Sequence, residues 1–127
     1  MGVPAGLRRP ARLAVRSVGA GMRPQRGEIT KRGLVDLPAS MFFSLPEGRL
    51  GRAITAASLV RAFRGGIRRA VAEGGMFQIY FHDHNMGVRT DEFFEALGAA
   101  LSLACAARDR GELEIVTLGG YARRVLD

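Results

Sequence analysis

The chain has 127 residues, enough for one domain with a core of its own. Hydrophobic residues make up 47% and charged residues 24%, and no apolar run approaches the roughly 20 residues that a helical bilayer crossing needs, which excludes a transmembrane reading. The net charge of +7 resembles a nucleic-acid signature until it is divided: residues 1–36 carry +6 of it, and residues 37–127 set eleven Arg against ten acids.

Residues 1–32 are read as a basic, flexible N-terminal segment. They hold Pro4, Pro10 and Pro24 and no acid before Glu28. Arg16 and Ser17 interrupt the apolar stretch a secretory signal would need, so a cytoplasmic location is expected. Nucleic-acid binding through this Arg-rich segment is the sharper reading, and it ranks below a solvated tail.

Residues 33–127 read as the folded part. Gly33 to Pro38 is expected to form a short strand stopped by proline, and 41–52 a loop broken by Pro46, Gly48 and Gly51. Thr55 caps a helix in which Leu59, Val60, Phe63, Ile67, Ala70 and Val71 recur at three- and four-residue steps, with Arg61, Arg64 and Arg68 on the solvent side. Gly65-Gly66 inside that pattern points to a kink or to close packing. A buried strand follows and ends in His82, Asp83, His84 and Asn85. Thr90 then caps a second helix, with Phe94, Leu97, Leu101, Ala104 and Cys105 as its apolar stripe and Gly111 as its stop. The single cysteine, Cys105, forms no internal disulfide and is expected to be a structural thiol. Leu113 to Leu118 is expected as a third strand and Tyr121 to Leu126 as a last helix. Three strands separated by helices imply an α/β fold with a parallel sheet and right-handed crossovers.

Both histidines of the chain sit at the end of the central strand. In an extended strand His82 and His84 face one side, about 6.5–7 Å apart at their Cα atoms, while Asp83 faces the other. Three uses compete. A His-x-His pair can share a metal ion, although no third histidine completes the shell. A single His82 can act as a general acid or base. Both histidines can also be structural, satisfying loop carbonyls. A small α/β binding or interaction protein without catalysis is the corresponding alternative for the whole chain.

Phe77 to Asn85, Thr90 to Phe94, Gly111 to Gly120 and Gly33 to Ser40 together, and in their order along the chain, resemble the C-terminal half of the polysaccharide deacetylase family, the NodB-type domain of carbohydrate esterase family four. The resemblance spans about residues 33–126. It implies part of a distorted (β/α) barrel and metal-dependent removal of N- or O-acetyl groups from carbohydrate. His82 then falls where the family places the histidine that protonates the leaving group. Tyr80, Asp83, His84 and Asn85 are accessory positions, Tyr80 standing where some members have Trp. The family's metal is held by an Asp and a His-x-x-x-His pair in the N-terminal half, and this chain has no such pair and no Asp before Asp36. The expectation is thus a C-terminal piece of a deacetylase: a truncated product, a mis-assigned start or one half of a split protein. It holds no metal of its own, and a zinc-like divalent ion is expected only in a complete member. Its partners would be acetylated carbohydrate together with a complementing N-terminal half or a second copy, with no membrane partner.

Overall fold

The computed structural model describes residues 23–127, so the first 22 residues of the expected flexible segment lie outside the described residues. In chain order the elements are β1 (Glu28–Ile29), β2 (Val35–Asp36), β3 (Met41–Phe42), the single helical turn α1 (Gly48–Gly51), α2 (Ala56–Glu73), β4 (Ile79–Tyr80), the turn α3 (Asp83–Met86), α4 (Thr90–Asp109) and α5 (Leu118–Leu126). No described helix is long and apolar enough to cross a membrane.

The centre is a two-helix layer on a narrow parallel ribbon. Thr55 caps α2 as its sequence indicates: its hydroxyl accepts from the Ser58 N–H at 3.1 Å, and the Ser58 hydroxyl accepts from the Thr55 N–H at 2.9 Å. Leu59, Phe63 and Ile67 of α2 are buried against Phe93, Ala96, Ala100 and Ala107 of α4. The alanines let the helices approach closely, and Phe43 and Leu45 fill the space towards the ribbon. The expected close packing at Gly65-Gly66 belongs to Gly66 alone. A Cβ there would lie 2.1 Å from the Phe77 ring, whereas one on Gly65 meets nothing within 4 Å. Helix α2 runs unbroken through both.

Met41 and Phe42, expected in a loop, form a strand. They pair in parallel with Ile79 and Tyr80, in the register Met41 to Ile79 and Phe42 to Tyr80. Ser40 starts this ribbon with its side chain. Its buried hydroxyl accepts from the Gln78 N–H at 3.1 Å and donates to the Met76 carbonyl at 3.3 Å, beside the backbone bond from the Ser40 N–H to the Gln78 carbonyl at 3.0 Å. Two apolar residues beside a proline-and-glycine loop carry too little alternation to signal a strand on their own.

Elsewhere the pairing departs from an all-parallel sheet. Val35–Asp36 lies in the strand expected at 33–38, and it closes an antiparallel hairpin with Glu28–Ile29. Just before β1, Gln25 and Met76 exchange backbone hydrogen bonds of 2.7 Å. Helix α5 covers this hairpin, with Tyr121 and Val125 close over Gly27. The strand expected over Leu113 to Leu118 is absent: residues 113–117 run unpaired, and α5 begins at Leu118. Arg124 draws Glu114 towards α5 at 2.6 Å, leaving Ile115 and Val116 exposed. A cleft of about 640 Å³ opens between this segment and β4, with Phe77, Ile79, Leu113 and Ile115 among its walls.

The apolar stripe of α4 holds in part: Leu97 and Ala104 of the expected set pack against the core, but its centre is shifted. Phe93, Ala96, Ala100 and Ala107 face the core, while Phe94 and Leu101 are half exposed and Cys105 is only partly covered. Contact with α2 brings Phe93 and three alanines to the centre of the buried face and leaves Phe94 and Leu101 at its outside. Gly111, with φ of 73°, stops the helix as expected, since this left-handed geometry suits glycine.

Candidate functional site

The strand containing β4 alternates from Ile79 onward; before that Met76 is buried and Gln78 carries a buried Oε1 with no hydrogen-bond partner among the described residues. Phe77, Ile79 and Phe81 pack on the core, while Tyr80 and His82 stand on the opposite, solvent side. The C-terminal end of the strand is therefore half buried rather than buried, because the described residues place no layer over Tyr80 and His82. The parallel pairing with β3 makes the tip of β4 a carboxyl-terminal edge, and His82 is the first residue beyond the Phe81 position on that edge.

After His82 (φ −97°, ψ 158°) the chain leaves the extended conformation and turns through α3. The buried Asn85 fixes that turn: its Oδ1 accepts from the His82 N–H at 2.8 Å, and its own N–H donates to the His82 carbonyl at 3.0 Å. Asn85 thus positions His82 through the backbone, and this Asn three residues after a bend is a signal the sequence does contain. His84 does not share a strand face with His82. Their rings stack instead, with centroids 5.3 Å apart and planes 11° from parallel. Asp83 accepts from the His84 N–H at 2.7 Å and lies 3.7 Å from the His84 ring nitrogen, both groups in solvent. It does not orient His82.

Tyr80, 42% exposed, and Phe42 complete an outward platform. Phe42 lies 5.0 Å from the Tyr80 ring and 6.0 Å from that of His82, and Tyr80 meets His82 edge-on at 6.3 Å. Flat, half-solvated rings next to an imidazole form a surface suited to the apolar face of a ring-shaped ligand. The donor set does not suit a metal. Ring-nitrogen lone pairs lie in the imidazole planes, so stacked rings direct them side by side rather than onto one ion. Among the described residues no group of three His, Cys, Asp or Glu is arranged to hold an ion.

Arg89 is a residue the sequence did not mark. It takes the capping position of α4 in place of Thr90, which is already helical, and it does so at φ 49°, a left-handed conformation uncommon for a side chain-bearing residue. Its guanidinium explains why: Nη1 donates to the carbonyls of Ile54 at 2.9 Å and Gly51 at 3.3 Å, and Nε donates to Glu92 at 3.0 Å. One side chain joins the α1 loop to the start of α4, just behind the His82 turn. Arg89→Ala should cost about 1.5–3 kcal/mol, measured as a lower urea midpoint at constant m. The hydrogen bond from Arg89 holds the Glu92 carboxyl below the usual carboxylate range. That share of the stability is present at neutral pH and is lost as pH falls through the lowered Glu92 value. The carbonyl bonds do not titrate, so the gap between wild type and variant should narrow in acid without closing.

No known family model matches the chain, and no characterised protein or solved structure matches it either.

Proposed function

We propose that this chain carries the proton-donating, carbohydrate-facing part of a polysaccharide deacetylase-type hydrolase, with His82 as general acid. The observation that carries the reading is the placement of His82: at the carboxyl edge of a parallel strand pair, backbone fixed by Asn85, ring in solvent beside Tyr80 and Phe42. Parallel strands present ligands at that edge. Expelling an amine from a tetrahedral intermediate requires a proton delivered to nitrogen, and an imidazole held at a fixed point can deliver it. Tyr80 and Phe42 offer ring faces on which a sugar can lie. Activation of water is not assigned to any residue described, so the chain by itself is expected to be inactive.

The test is a titration of the 127-residue chain with acetylated chito-oligosaccharide, followed through the ring resonances of His82, His84, Tyr80 and Phe42. Shifts confined to these rings, abolished in a Tyr80→Ala, Phe42→Ala double variant that stays folded, support the reading. Unchanged spectra at millimolar sugar overturn it, leaving a small α/β interaction protein whose histidines are structural. Turnover of that sugar by the chain with added divalent metal would overturn the inference that the site is incomplete.

A further inference from the structure

Beside its contact with α2, helix α4 carries a seam that is largely open among the described residues, with Leu101 also at the edge of the cleft that Phe63 and Ile67 line. Phe94 and Leu101 on this seam are 50% and 51% exposed. Gly98 between them is also exposed, and a Cβ added there meets nothing within 4 Å. Asp91, Phe94, Gly98, Leu101, Cys105 and Arg108 follow one another at alternating steps of three and four residues. That is the spacing of a helix-pairing seam. The buried residues Phe93, Ala96, Ala100 and Ala107 occupy other positions of the same repeat, so core packing does not account for the seam.

The seam is complementary to itself when reversed. A second α4 laid antiparallel, with the twofold axis between Gly98 and Leu101, puts Asp91 opposite Arg108, Phe94 opposite Cys105 and Leu101 opposite Gly98. At each end Asp91 meets an Arg108 that its own chain also pairs with Asp109 at 2.8 Å, so the guanidinium would bridge two carboxylates. A large residue meets a small one at each inner layer. Of the flanking positions, Glu95 faces Ser102, while Leu97 and Ala104 pack against the core of their own chain. Both acids of the first helical turn, Asp91 and Glu92, and the base of the last, Arg108, suit an antiparallel helix pair.

We propose that the solvent face of α4 is a self-association surface, on which a second copy of this chain packs its own α4 antiparallel through this seam. The contact is one helix wide, below the roughly 1,200 Å² of a standard interface, so association falls in the micromolar range or weaker. It is independent of the role given to His82.

Sedimentation equilibrium of the full chain from about 5 to about 500 µM tests it, the range being that of a sub-standard contact. The wild type should show a monomer–dimer equilibrium. Gly98→Arg should weaken it at least tenfold while leaving the far-ultraviolet circular dichroism unchanged, since the monomer has open space at that position. Asp91→Arg and Arg108→Asp should each weaken the homodimer, and an equimolar mixture of the two should recover association, because each then supplies what the other lacks. A wild type that stays monomeric, as it would if this face belonged to a different polypeptide, overturns the proposal. So does a dimer that Gly98→Arg leaves intact, or a mixture that fails to associate.

Discussion

Phe93→Ala should cost about 3–5 kcal/mol, a large part of the stability expected of a domain this size. Phe93 is fully buried. Its ring meets Phe43 at 5.8 Å and Phe81 at 5.3 Å, both close to perpendicular, the geometry in which aromatic pairs gain beyond area burial. Truncation opens a cavity where α4, the β3 segment and the end of the β4 segment converge, and rigid helices on either side limit its collapse. Phe81 precedes His82, so the loss is also felt at the candidate site. The control is the adjacent residue: Phe94→Ala, at a half-exposed position, should cost under about 1 kcal/mol. Equal urea midpoints for the two variants would mean that the face of α4 has been misassigned.

The second large effect is a contrast between neighbours of identical chemistry. Gly66→Ala should destabilise by about 1–3 kcal/mol, because its methyl group would occupy space held by the Phe77 ring, which is itself braced edge-on by Phe63 at 5.6 Å. Gly65→Ala, one position earlier on the open side of α2, should stabilise by about 1 kcal/mol through helix propensity alone. Thermal melts of the two variants should shift in opposite directions. Shifts of the same sign would show that the Phe77 ring does not rest on α2.

Much of the helical frame was legible because its signals are local. Thr55 and Ser58, the three-four spacing of Leu59, Phe63 and Ile67, and the stop at Gly111 each act within a few residues of chain. The face of α4 was legible only in part: Leu97 and Ala104 were placed on the core side, but the choice between Phe94 and Phe93 depends on a partner helix that no local pattern describes. The β3 strand was missed for the same reason: Met41 and Phe42 become a strand only because Ile79 and Tyr80 lie beside them. In the opposite direction, Leu113 to Leu118 has the composition of a strand, yet pairing is a property of two segments, and the Glu114–Arg124 pair holds this one by α5. At the candidate site, the sequence located the histidines and the strand end. The bend at Asp83 decided their relation, turning an expected shared face into a ring stack. Arg89 escaped notice because a left-handed arginine becomes intelligible only once the carbonyls of Gly51 and Ile54 are in reach.

The narrowness of the central ribbon has a consequence for handling the protein. Phe77 to Phe81 is uncharged, aromatic and free of proline, and the cleft leaves the side of β4 towards Leu113 and Ile115 without a ladder. Segments of this kind stack on their own copies once exposed. The glycines before it and Asp83 after it interrupt the run but do not shield it. Conditions that loosen the packing over this segment are therefore expected to favour cross-β association, read as a rise in thioflavin T fluorescence on heating.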